Sequence, residues 1–290
     1  MDRKTNIQDF DYLERQYNKT FSKIDLITSN IIAKEGNVNF DTISSNLIRT
    51  FHYGELIGKP RKELRQLLHY SLELTMVSVS LQVDTSTKKK IKFNNHTFTL
   101  SGNSNHNNLG IETWLQATYL ATILRTQKTL QNLLSLPSNA FDKSPISHDP
   151  WTKAEMLYLA KILSNSKTAQ DAFAQLTTTI NNLSTIRVLL DGGFEAIPAT
   201  PERQDLIESV YYPTISMFQH AKNQTETNFS NHLQETIESL RIYISKSNQF
   251  SEPKYWVYFP LIAACAYAHD QGIAITVESD YLPKWLIEGR

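Results

Sequence analysis

The stretch Pro253-Lys-Tyr-Trp-Val-Tyr-Phe-Pro-Leu-Ile-Ala-Ala-Cys-Ala-Tyr-Ala268 contains the longest apolar run of the chain, from about Tyr255 to Ala268. Proline suits a helix start, where the amide it lacks has no intrahelical partner. The turns that follow carry Tyr255, Trp256, Tyr258, Phe259, Leu261, Ile262 and Cys265. A helix that is apolar nearly all round offers no face to water, so it belongs at the centre of other helices. It stops at His269-Asp-Gln-Gly272, where glycine can adopt the left-handed C-cap conformation, and Ile273-Ala-Ile-Thr-Val277 reads as a short extended segment. The apolar run is shorter than the roughly 18 residues that a membrane-spanning helix needs, and Pro260 interrupts it. No membrane span is predicted.

Working outward, apolar residues recur at three- and four-residue spacing along most of the chain, the signature of amphipathic helices packed on one another. A first helix is predicted from about Ile7 to Lys34, with Phe10, Leu13, Tyr17, Phe21, Ile24, Ile27 and Ile31 on one stripe, stopped by Gly36. Asp41 is the predicted N-cap of a second, which breaks at Gly58-Lys-Pro60 before a third from about Arg61 to Val83. Further helices are expected from Gly110 to about Leu136, Trp151 to Leu163, Thr168 to Leu190, Pro201 to Lys222 and Thr225 to Ser247. Between them, Ile91 and Phe93 alternate with polar residues, as do Phe98 and Leu100, so residues 91–100 read as one small β-hairpin turning at Asn94-Asn-His96. The fold class is therefore mainly α, an antiparallel multi-helix assembly of repeat-like helical hairpins or a bundle. It is expected to form a single domain over 1–290, with sub-layers 1–101 and 109–290 on either side of the polar loop Gly102-Asn-Ser-Asn-His-Asn-Asn108.

Twenty-nine basic residues balance 29 acidic ones, so the whole chain lacks the positive excess on which non-specific nucleic-acid binding relies. The lone Cys265 cannot form an intramolecular disulfide, and the polar opening Met1-Asp-Arg-Lys-Thr-Asn-Ile-Gln-Asp-Phe10 lacks the apolar centre of a secretory signal. A cytoplasmic protein without direct nucleic-acid or membrane partners is expected.

The sequence carries few marks of catalytic or metal chemistry. Gly54-Glu-Leu-Ile-Gly-Lys-Pro60 has the wrong spacing for a phosphate-binding loop and proline where a hydroxyl is needed. One cysteine excludes cysteine-rich zinc sites. His269-Asp270 suggests a metal-dependent phosphohydrolase, with further ligands drawn from His52, His69, His220, His232 and Asp280. The dipeptide also occurs at His148-Asp149, and a histidine that complements a helix C-terminus explains it more simply. Glu278 and Asp280, two apart, share a face of an extended segment and read either as paired carboxylates or as solvated charges. Lys88-Lys-Lys90 reads as a solvated strand edge. No catalytic, cofactor or metal residue is assigned, and no enzyme activity is expected.

The stretch from Tyr255 to Gly289 carries something more specific. Its small-residue helix Ala263-Ala-Cys-Ala-Tyr-Ala268, its turn Asp270-Gln-Gly-Ile273 and above all Val277-Glu-Ser-Asp-Tyr-Leu-Pro283, with Trp285 and Leu286 behind it, resemble the C-terminal signature of the immunity protein 49 (Imm49) family. The resemblance implies an all-helical protein of a bacterial polymorphic-toxin or contact-dependent competition system. Such a protein would neutralise a cognate toxin, mainly of nuclease type, by binding it. No catalytic residues carry over. Glu278, Asp280 and Tyr281 are candidates for the toxin interface, whereas Asp270, Gly272, Leu282, Pro283 and Trp285 read as residues that build the fold. The alternatives are a helical scaffold docking partner peptides and the metal-dependent hydrolase. Oligomeric state is not legible.

Overall fold

The computed structural model describes residues 9–33, 38–83, 88–94, 96–101, 110–141, 149–188, 193–223 and 226–289. It is mainly α-helical, with two small antiparallel two-stranded sheets. The chain divides into two compact units, Met1–Leu109 with Ser251–Val257, and Gly110–Phe250 with Tyr258–Arg290.

In the first unit, the helix expected over 7–34 is two helices, α1 (Phe10–Phe21) and α2 (Ile24–Ala33). The Lys23 amide bonds the Thr20 carbonyl at 3.0 Å, tightening the chain at a point that neither glycine nor proline marks. Helix α3 (Phe40–Leu56) is capped by Asn39 and not by Asp41: the Asn39 side chain accepts the Thr42 N–H at 2.9 Å, and Asp41 is the second residue of the helix, within its first turn. It ends where Gly58 takes φ +71° and the Lys59 amide reaches back to the Gly54 carbonyl at 2.9 Å. Helix α4 (Arg61–Val83) packs along α3. Their buried seam holds a hydroxyl cluster, with Ser44 2.6 Å from Ser71 and 2.8 Å from Thr75, so these polar groups are satisfied out of water.

The predicted hairpin forms from β1 (Lys88–Phe93) and β2 (His96–Ser101), paired from Lys88↔Ser101 to Phe93↔His96. Ile91, Phe93 and Leu100 are buried while Lys90 and Lys92 face water, the alternation expected of a sheet with one solvated face. Asn94 takes the turn at φ +45° and donates to Asp25 and Thr28 of α2. The returning segment 251–257 sets Trp256 against Leu13 and Leu56.

The second unit comprises α5 (Ile111–Ile123), α6 (Gln127–Leu134), α7 (Pro150–Leu163), α8 (Ala169–Ile180), α9 (Pro201–Leu206), α10 (Tyr212–Asn223), α11 (Glu226–Lys246), α12 (Phe259–Asp270) and α13 (Lys284–Ile287). The apolar stretch that organises the sequence splits in two. Pro253–Tyr255 is a 3-10 turn in the first unit, whereas α12 starts at Phe259 with Pro260 in its first turn. Residues 261–268 of α12 are all buried, and the helix packs against α5 and α10.

Two other expected helices are shorter than predicted. The one over 110–136 breaks at Arg125, which adopts φ +54°. The one over 168–190 stops at Ile180 and gives way to a second hairpin, in which β3 (Ser184–Val188) pairs with β4 (Phe194–Pro198). Between α9 and α10, Ile207–Tyr211 widens into a single π-helical turn. Among the described residues, no helix is long and apolar enough to cross a membrane.

Candidate functional site

The C-terminal residues singled out in the sequence start where α12 ends. Gly272 stands at φ +88°, and its amide bonds the His269 carbonyl at 2.9 Å while that of Ile273 bonds the Ala268 carbonyl at 3.1 Å. These bonds satisfy helix-end carbonyls that would otherwise lack partners. Two residues before Gly272, Asp270 receives two hydrogen bonds of 3.2 Å from the Arg125 guanidinium. The same guanidinium donates to the carbonyls of Ile123 at 2.6 Å, Leu286 at 2.7 Å and Ile287. Asp270 is thus one arm of a clasp joining the α5–α6 break, the end of α12 and α13.

From Thr276 to Pro283 the chain forms no paired strand. The Ser279 hydroxyl accepts the Tyr281 N–H at 3.3 Å and its carbonyl accepts the Leu282 N–H at 3.0 Å, which turns the chain into Pro283, the N-cap of α13. Tyr281, Leu282, Pro283 and Trp285 are all buried, and the Arg241 guanidinium lies 5.9 Å from the centre of the Tyr281 ring. Glu278 is the opposite case. Its side chain is 82% exposed and bonds the Lys284 ammonium at 2.9 Å, and this contact lowers the carboxyl pKa and raises that of the lysine. Asp280 is half-buried in the turn.

Beside this turn, α11 and residues 276–279 border an open groove of about 610 Å³ whose walls include Ser230, Gln234, Glu238, Arg241, Thr276 and Glu278. It offers hydrogen-bonding groups and both signs of charge, the lining of a surface that recognises polar chemistry. Of the three interface candidates, the structure brings Glu278 to this groove and sets Tyr281 beneath Arg241.

His269 lies 3.4 Å from Asp270, His220 and His232 stack with ring centres 3.8 Å apart, His52 and His69 belong to the other unit, and His148 lies outside the described residues. Burial, then its neighbour His232, lowers the pKa of His220. Among the described residues, no three His, Cys, Asp or Glu side chains gather closely enough to hold a metal ion. Burial alone pushes the Cys265 thiol well above its usual pKa, so it is not a poised nucleophile.

A polar node that the sequence reading did not single out lies between α5 and α7. Glu155 accepts the Tyr119 hydroxyl at 2.6 Å and the Trp151 indole N–H at 3.1 Å. Arg203, on α9, sits 3.4 Å from Asp149 and 5.6 Å from the centre of the Tyr211 ring on the π turn. The Glu155 carboxyl is enclosed by protein, and this burial pushes its pKa up to about 7 against the opposing effect of its two donors and Arg203. A signal was present: Trp151, Glu155, Tyr158, Leu159 and Ile162 share one helical stripe, and a carboxylate on an apolar stripe needs an explanation.

No curated protein and no solved structure matches the chain. The family model described as Immunity protein 49 matches residues 61–286, a span that contains the α12 terminus, Asp270, Gly272 and the turn from Glu278 to Pro283. The chain is a member of the immunity protein 49 family.

Proposed function

We propose that this protein protects the cell that makes it by binding a cognate toxin in the cytoplasm, acting as a stoichiometric inhibitor and not as an enzyme. The family match over 61–286 carries this reading. The toxin is proposed to be a nuclease, and the inhibitor to grip a surface beside the active site. Plugging a nucleic-acid cleft calls for a strongly acidic face, and the chain as a whole is neutral.

The test is co-expression of the full chain with the toxin domain encoded next to its gene, scoring survival, co-purification and integrity of cellular nucleic acid. The expected outcome is survival with a stable complex and intact nucleic acid. Toxicity without complex formation refutes inhibition by binding. Protection from a toxin that leaves nucleic acid untouched refutes the nuclease assignment alone.

A further inference from the structure

The overall neutrality of the chain hides an asymmetry. The first unit holds 16 Lys and Arg against 12 Asp and Glu, an excess of four positive charges, which leaves 13 against 17 in the second from chain totals of 29 and 29. Part of the positive excess is concentrated in one place. Helices α1, α2 and α3 enclose a groove of about 410 Å³ whose lining, among the described residues, includes Lys19, Lys23 and Arg49 and no Asp or Glu.

Helical spacing explains the arrangement. Tyr12, Gln16, Lys19 and Lys23 follow one stripe of α1 and its end, while Asp11 and Glu14 fall on other faces. Among the described residues none of the three cations has an ion-pair partner, whereas nearby Lys59 and Arg15 are paired with Glu14 and Asp9. Apolar surface lies beside the charges: Leu26 is 53% exposed and Tyr12 45%. Three cations within one groove repel each other unless an anion joins them, and large apolar side chains left in water gain by being covered.

We propose that this groove docks an acidic, apolar-anchored segment of the toxin, with carboxylates meeting Lys19, Lys23 and Arg49 and an aliphatic or aromatic side chain covering Leu26 and Tyr12. The inference rests on the inhibitory reading above and deepens it. A nuclease must keep its nucleic-acid cleft basic, so an acidic segment lies elsewhere on its surface, and docking there leaves the cleft itself unplugged. The groove also precedes residues 61–286 that the family model matches, where a partner-specific contact can differ without disturbing the shared C-terminal architecture. Nucleic acid is the poorer occupant, because three cations around exposed leucine and tyrosine give few phosphate contacts.

The experiment measures affinity of the full chain for the toxin domain encoded beside its gene, across a salt series. Combined Lys19→Glu, Lys23→Glu and Arg49→Glu should weaken binding at least 100-fold and flatten its salt dependence, with unchanged circular dichroism. Leu26→Asp should weaken it at least 10-fold, and the control Lys128→Glu on the second unit should leave it unaltered. Wild-type affinity in both groove variants overturns the docking site while leaving the inhibitory function standing. A wild-type chain that fails to bind the toxin overturns both. If the charge reversal abolishes retention of a single-stranded oligonucleotide while toxin binding persists, the groove is a nucleic-acid site and the proposal fails.

Discussion

Arg125 and Asp270, 145 positions apart, are joined by two hydrogen bonds of 3.2 Å, and the arginine achieves this from a left-handed backbone conformation at φ +54°. Such a conformation costs a non-glycine residue on the order of 1 kcal/mol or more. The surroundings hold it there through three further bonds to the carbonyls of Ile123, Leu286 and Ile287. The ion pair is partly exposed, 21% and 39% for the two side chains, so removing it alone should cost only about 1 kcal/mol. Arg125→Ala, which also strips donors from part-buried carbonyls, should cost about 2–4 kcal/mol. Arg125→Gly should lose about 1 kcal/mol less than the alanine variant, because it relieves the backbone. Urea denaturation checks the order; equal losses for Asp270→Ala and Arg125→Ala would show that the carbonyl contacts contribute nothing.

Gly54 offers a prediction of sign. Within an exposed helix, Gly→Ala stabilises by up to about 1 kcal/mol. At Gly54, however, an added methyl would sit 2.5 Å from Leu64 Cδ2 and 2.5 Å from the Tyr17 ring. That ring is held by a 2.8 Å bond to Glu63 and by stacking on Phe21, so it cannot simply yield. Gly54→Ala should therefore destabilise by about 1–3 kcal/mol, and a rise in melting temperature would refute the close approach of α1, α3 and α4.

These two residues also show what a sequence conceals. Periodicity identified the helices, and Gly58 and Gly272 marked where two of them end, because glycine announces the positive φ that it adopts. Arg125 makes the same kind of break without announcing it, since the compensating bonds come from residues 145 to 162 positions away. The α1–α2 break at Ser22 and Lys23 is equally silent. The second hairpin was legible in principle: Asp191-Gly-Gly193 separates two short β-prone runs, but an apolar helical pattern upstream masked it. For the candidate site, the family motif was readable as residues, while the exposure of Glu278 and the burial of Tyr281 depend on tertiary packing.

That contrast between Glu278 and Tyr281 separates folding from recognition. Glu278→Ala removes an exposed pair with Lys284 and should leave stability within about 0.5 kcal/mol of the parent. Tyr281→Ala empties a buried position beneath Arg241 and should cost about 2–4 kcal/mol. If the turn mainly builds the fold, toxin protection falls with stability in Tyr281→Ala and is retained in Glu278→Ala. Loss of protection in a fully stable Glu278→Ala would instead make this carboxylate a contact residue.

The buried Glu155 sets a pH dependence whose sign follows from its environment. Burial raises the folded-state pKa from the ordinary 4.5 to about 7, so between those values the folded protein keeps a proton that the unfolded chain has released. The group's contribution to stability is therefore fully present below about pH 4.5 and is lost as pH rises through 7. The charges facing it act in opposite senses: Asp149 raises the value, whereas Arg203 and the donors Tyr119 and Trp151 lower it. Glu155→Gln keeps the shape and an acceptor for one of the two donors but cannot ionise. Urea denaturation at intervals from pH 4.5 to 8 should show wild-type stability declining more steeply with pH than that of the variant. The two curves should converge towards the acidic end, where both side chains are neutral. Parallel curves across the range would mean that Glu155 is ionised throughout, held so by Tyr119, Trp151 and Arg203.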